Sequence, residues 1–311
     1  MLSRRNIRIK VLQTLYAANR DKGITPQSAA KLYHKHIEQS FALYIFNLLQ
    51  LREITKYAVQ DETNRKSKHL PSDEDKKFST KLYNNELIQA TLDNEVLKSL
   101  INSTNSKAFL NEDNTRLLYT DLLKTPEYKA YLDNPDCTNE DHRQILLFLF
   151  KYSVTGEIYN ELMDDYFLNW WDDKSLVIGA IKKSIKAMPF DGAYIDAMRP
   201  NYETIKEFGE SLLLDVINNN EDLLATIEPA LNNWDADRVA VIDMIILKMA
   251  LSELMNFPTI PTKVTLNEFV EIAKLYSTDK SKDFINGILD RLFKKLDKEG
   301  KIKKEGRGLV E

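Results

Sequence analysis

From Asp235 to Leu254 the chain reads DADRVAVIDMIILKMALSEL, and apolar residues fall on nearly every side of the helix that this stretch predicts. Val239, Ile242, Ile245, Ile246, Met249 and Leu254 share the inward side, while Val241, Met244, Leu247 and Leu251 leave little of the opposite side polar. A helix apolar almost all round is a buried one. Arg238, Asp243, Lys248 and Glu253 interrupt the run at regular intervals, which a lipid span of the same length would not tolerate without partners. The stretch reads as the central helix of a soluble bundle.

Helical spacing governs the rest of the chain as well. A first helix is expected from Ser3 to Asn19, with Ser3 as N-cap and Ile7, Val11, Thr14, Leu15 and Ala18 on one side. Gly23 and Pro26 break it, and a long helix follows over residues 27–59 with Phe41, Tyr44, Ile45, Leu48, Leu49 and Ile54 as its stripe. Residues 61–77 are polar and contain Pro71, so they read as an exposed loop. Further helices are expected near 78–102, 107–124, 126–132, 139–153, 156–170 and 173–188. The breakers in MPFDGAYIDAMRP (residues 188–200) separate this region from the last part of the chain. There, amphipathic helices carrying Phe208 and Leu212, Leu223 and Ile227, the central run, Phe269 and Ala273, and Ile288 and Leu292 follow one another closely. Short connections between such helices make an antiparallel helical bundle. The fold class is all-α.

Composition narrows the picture. A chain of 311 residues can bury a substantial core, and nine Gly with nine Pro are few for a turn-rich, sheet-rich fold. Cys137 stands alone, which excludes an internal disulfide and a thiolate metal cluster and suits a reducing compartment. The N-terminal MLSRRNIRIK has no apolar run behind its basic residues, so a cytoplasmic location is expected, with no membrane association. The net charge of −4 argues against a protein coated in phosphate contacts, but the charge is uneven. Residues 1–22 carry six Lys or Arg against one acid, and residues 291–307 carry eight against three. Residues 133–173 hold ten acids against two bases. Two basic ends that met in the fold would form a local patch able to steer a phosphate backbone.

Three motifs carry candidate chemistry. On the first helix Arg5, Tyr16 and Arg20 fall within a narrow arc, where a ring among guanidiniums can stack a base; the plainer reading is a solvated basic face with a half-buried Tyr. His34 and His36 lie two apart on a helix, point in different directions and read as surface histidines, not metal ligands. DDYFLNWWDD (residues 164–173) has the paired aspartates of a magnesium diphosphate site but not their one-turn spacing, so acidic helix ends flanking a Trp170 and Trp171 core contact are expected. No GxGxxG loop is present. No catalytic residue, metal or cofactor is expected.

Two separated runs resemble the NusB family of transcription antitermination factors. The first is RRNIRIKVLQTLY (residues 4–16), with Gln13, Leu15 and Tyr16. The second comprises Phe208 and Leu212, Leu231, Trp234 and Arg238, then ILKMALSEL (246–254), IPTKVTLNEFVEIAK (260–274) and DFINGILDRL (283–292). The resemblance implies a non-enzymatic, all-helical bundle. It implies binding to the single-stranded boxA element of nascent ribosomal RNA, together with the small-subunit ribosomal protein that doubles as NusE, within an RNA polymerase antitermination complex. Carried over by position, Arg4, Arg5, Arg8, Tyr16, Tyr276, Lys280, Ser281, Lys282, Phe284 and Asn286 would meet RNA. Asp237 and Asp243 would face the ribosomal protein; an acid in a first helical turn and a partly buried charge are their plainer roles.

The sequence also departs from the family. Lys280 stands where an acid is usual, with Asp279 one place earlier. Gly287 inside a helix suggests that another helix approaches closely there. The domain organisation expected is residues 1–30 as the first helix of the NusB-like domain, 31–200 as a helical expansion, 201–298 as the C-terminal helical part and 299–311 as a basic tail. A helical scaffold that keeps the ribosomal-protein contact without appreciable RNA affinity is the alternative, favoured by the pI of 5.8 and by Lys280.

Overall fold

The computed structural model describes residues 1–231, 235–278 and 280–309, the side chains of residues 74 and 77 aside. Trp234 and Asp279, quoted above, lie outside the described residues. Among these residues the chain is helical and contains no strand. Helix α1 spans Arg4–Arg20 and α2 Pro26–Lys66. Then come α3 (Asp73–Lys77), α4 (Lys81–Asn84), α5 (Glu86–Asp93), α6 (Glu95–Ser103), α7 (Glu112–Leu123), α8 (Pro126–Asp133), α9 (Asn139–Thr155), α10 (Glu157–Tyr166), α11 (Trp170–Ala187) and α12 (Gly192–Ala197). The chain continues through a π-helical stretch, Glu203–Glu210, that leads directly into α13 (Ser211–Asn218). The remaining helices are α14 (Asn220–Leu231), α15 (Val241–Asn256), α16 (Thr262–Tyr276) and α17 (Ser281–Lys298).

Two compact units divide the chain: Met1 with residues 38–199, and residues 2–37 with 200–311. Helix α2 contributes residues 26–37 to the second unit and the rest to the first. In the first unit Leu43, Tyr44, Phe46 and Leu49 of α2 are buried with Leu146 and Leu149 of α9, Tyr159 and Met163 of α10, and Trp170 and Ile181 of α11. Polar groups inside this core find partners: Ser40 donates to Asp173 at 2.7 Å, and Tyr44 and Ser184 share a hydrogen bond of 2.8 Å.

Helix α2 overruns its expected end. Residues 61–66 are helical because no breaker intervenes before Ser67, and i,i+4 pairs such as Arg65–Asp61 and Lys66–Glu62 support the polar turns. Polarity there marks exposure, not a loop. The single helix expected over 78–102 is instead three. Asn85 and Asn94 each accept a hydrogen bond from the backbone three residues on, from Ile88 at 3.1 Å and Leu97 at 3.0 Å, and so restart the chain as N-caps.

In the second unit α15 is the central element. It packs against α1, α13, α14, α16 and α17, and every residue from Ile245 to Leu254 is buried, Lys248, Ser252 and Glu253 included. Its beginning differs from expectation. Asp235 caps a separate short 3-10 turn, Ala236–Arg238, by accepting from the Asp237 amide, and Val239 and Ala240 are extended before α15 starts at Val241.

Close packing needs a glycine at 209. A Cβ there would lie 2.0 Å from the Tyr33 hydroxyl oxygen and 2.4 Å from Ile7 Cγ2, so α1, α2 and the π-helical stretch meet where no side chain fits. Gly287 is the opposite case. A Cβ on it would meet nothing within 4 Å, which overturns the close helix approach expected at that position.

Candidate nucleic-acid interface

The N-terminus of α1 is set by a capping box: the Ser3 amide donates to Asn6 Oδ1 at 3.0 Å, and the Asn6 amide donates back to Ser3 Oγ. Helix therefore begins directly at the arginines. Arg4 and Arg5 are exposed, and the Arg4 guanidinium lies 5.6 Å from the Phe208 ring centroid. Among the described residues no carboxylate pairs with Arg4. Arg5 is held by Glu268 of α16, its Nε and Nη2 each donating to one carboxylate oxygen at 2.7 Å. That bond raises the Arg5 pKa and holds the Glu268 carboxyl below its ordinary value.

Arg8 departs from the expected RNA surface. Its side chain is 2% exposed and Glu253 is fully buried, and the two form a bidentate pair with both distances 2.7 Å. Thr265 donates to the same Glu253 carboxylate at 2.7 Å, and the Arg8 guanidinium sits between the Phe208 and Phe269 rings at 5.1 and 5.7 Å. A charge so enclosed and satisfied ties α1 to α15 and α16; in this conformation it does not meet a solvent-borne ligand. Phe208 continues into an edge-to-face contact with Phe257, whose carbonyl accepts from Lys304. The two basic ends of the sequence thus converge around one aromatic pair.

Farther along α1, Tyr16 is half-buried. Arg20 covers its ring at 5.4 Å and donates to its hydroxyl at 3.1 Å, whereas Arg5, the third residue of the expected arc, is held by Glu268.

The second expected group lies at the α16–α17 junction. Tyr276 and Phe284 are partly buried, and Lys280, Lys282 and Asn286 are exposed. Ser281 is buried, 5% exposed, and faces inward. Its hydroxyl donates to Asp243 Oδ2 at 2.7 Å, while the Ser277 hydroxyl donates to Asp243 Oδ1 at 2.5 Å. Asp243, also 5% exposed, is therefore a clasp from the first turn of α15 onto this junction, the buried charge that was its plainer reading. Ser281 likewise positions its neighbours and does not face solvent.

Asp237 is exposed and lines a hollow of about 430 Å³ with Leu15, Ala18, Val216 and Met244 as apolar wall. Lys248 borders it, donating to Asn220 at 2.7 Å, and burial lowers its pKa.

The other motifs have plainer roles. His34 pairs with Glu210 at 2.7 Å and His36 with Thr14 at 3.3 Å. Among the described residues no group of three His, Cys, Asp or Glu is placed to hold a metal. Trp170 is fully buried, but Trp171 is 60% exposed with Lys174 over its ring, so only the first tryptophan makes the core contact expected of both.

The model of the NusB family matches residues 180–294. A transcription antitermination protein NusB from Clostridium botulinum is 40% identical over 109 residues, 33% of this chain and 79% of that protein. The chain belongs to the NusB family. Proteins of the same name from Chloroherpeton thalassium and Salinibacter ruber are 41% and 39% identical over 106 and 105 residues, 34% of this chain in each case. The chain spans 50% and 66% of their respective lengths. No solved structure matches. The NusB match covers α12 through most of α17 and begins inside α11, so residues 38–179, most of the first unit, lie outside it. Among the described residues no helix is long and apolar enough to cross a membrane.

Sequence reasoning missed Glu253, Glu268 and Phe208 as the residues that organise the arginines. Nothing local in the sequence marks these pairings, since Glu253 and Glu268 stand 245 and 263 residues from the arginines they hold.

Proposed function

We propose that this chain is a cytoplasmic, non-enzymatic transcription antitermination factor that binds boxA-type single-stranded RNA of nascent ribosomal RNA together with the ribosomal protein acting as NusE. The observation that carries this reading is the presentation of two exposed arginines at the capped start of α1, beside a helix whose far end leads into Lys280, Lys282, Phe284 and Asn286. Arginines hold phosphates, and Tyr16, Tyr276 and Phe284 supply rings for unstacked bases, each stack contributing about 1 to 3 kcal/mol. Arg4 and Arg5 remain in this set. Arg8, Ser281 and Asp243 support it from within, and Asp237, at the edge of the apolar hollow, is the acid left to face the ribosomal protein and so the polymerase complex.

The test is fluorescence anisotropy of a labelled boxA-type oligonucleotide across a salt series, with and without the purified ribosomal protein. Binding should tighten with the partner and weaken with salt at a log-log slope of about −0.7 per phosphate contact. Retention of the ribosomal protein with no RNA binding in either condition would replace this reading with the scaffold, which the enclosure of Arg8 and the pairing of Arg5 favour.

A further inference from the structure

The first turn of α1 borders a hollow of about 400 Å³ lined by Ser3, Arg4, Arg5, Arg8 and Glu268, with Ile260, Pro261 and Val264 closing its apolar side. Its ion pairs differ in kind, and Glu268 belongs to two of them, since its Oε2 also lies 3.7 Å from Arg8 Nη1. Arg8 and Glu253 are sealed at 2% and 0% exposure, whereas Arg5 and Glu268 are 43% and 20% exposed and open to water. An enclosed pair is fixed in the fold; a pair reached by water can exchange its carboxylate for another anion.

We propose that Glu268 occupies, in the free protein, the guanidinium edge of Arg5 that an RNA phosphate takes in the complex, making Glu268 a determinant of RNA affinity. The inference rests on the RNA-binding reading above and adds a residue which that reading does not contain. Two parallel N–H donations from Nε and Nη2, both 2.7 Å, are the geometry in which Arg grips either a carboxylate or the two free oxygens of a phosphodiester. One edge cannot serve both. With Arg8 neutralised by Glu253 and Arg5 by Glu268, Arg4 alone supplies the net positive charge of the hollow. A phosphate at Arg5 must displace Glu268, and the displaced carboxylate stays on α16 beside the incoming anion. Glu268 therefore weakens phosphate binding at this end of α1, and its removal lifts that penalty.

The experiment compares wild type, Glu268→Gln, Arg5→Ala and the double variant by anisotropy with a labelled twelve-nucleotide boxA-type RNA, with melting temperature recorded for each. Glu268→Gln is expected to bind about three- to tenfold more tightly, because no carboxylate has to leave Arg5 or stay beside the phosphate. In the Arg5→Ala background the same change should give no gain. Unchanged or weaker binding by a folded Glu268→Gln protein overturns the inference. Should that variant melt early, Glu268→Asp, one methylene short of the two-point geometry, carries the test and is expected to bind more tightly than wild type; equal or weaker binding overturns the inference. A wild-type protein that binds no RNA sinks the proposed function itself, whereas wild-type binding without the gain sinks only the role of Glu268.

Discussion

Arg8 and Arg5 lie within one turn of one another, and α16 and α15 give them opposite roles. Among the described residues, removing the Arg8 side chain leaves the buried Glu253 carboxylate with Thr265 as its one donor, and a broken buried pair costs about 3 to 5 kcal/mol. Arg8→Ala should therefore lower the melting temperature strongly, in contrast to the near-neutral effect expected of a surface RNA contact; a melting temperature within a degree of wild type would contradict the assignment. The glycines make a second pair. Gly209→Ala forces a methyl group against Tyr33 and Ile7 and should destabilise by about 1 to 3 kcal/mol, whereas Gly287→Ala, in open space within a helix, should stabilise by up to about 1 kcal/mol. Denaturant titration of the two variants checks both signs. Neither the enclosure of Arg8 nor the crowding at Gly209 was legible in the sequence. Arg8 stands 245 residues from Glu253, and the sequence marks Gly287 and Gly209 alike as glycines on helices.

At the scale of elements, the central helix was legible because its apolar residues surround it, which only burial explains. Its start was not, since Val239 and Ala240 continue the apolar pattern while the backbone is extended. The same limit applies to α2, where charged residues concealed a helix that side-chain pairing sustains. The junction between α16 and α17 depends on a contact invisible to local pattern: Asp243, on another helix, holds Ser277 and Ser281. Asp243→Ala removes both hydrogen bonds to a charged acceptor, each worth about 1.5 to 3 kcal/mol. Faster amide exchange should follow at residues 277–284, and the proposed RNA binding should weaken although no residue of the proposed RNA surface has changed. Exchange at wild-type rates would show that the clasp does not order the junction.

Across the whole chain, sequence motifs carried the family because the two matching runs, residues 4–16 and 208–292, belong to the same compact unit although most of the other unit separates them in sequence. The pattern of the first unit predicted its helices but not the divisions within residues 81–103, where asparagine caps at 85 and 94 restart the chain without Pro or Gly. The central claim is that single-stranded RNA lies on the second unit, along α1 and the α16–α17 junction. Photo-crosslinking of a boxA-type oligonucleotide carrying 4-thiouridine, followed by mass spectrometry of the peptides, tests it most directly. Crosslinks at Tyr16, Tyr276 or Phe284 and in residues 280–286 are predicted; crosslinks confined to residues 38–199 would contradict it.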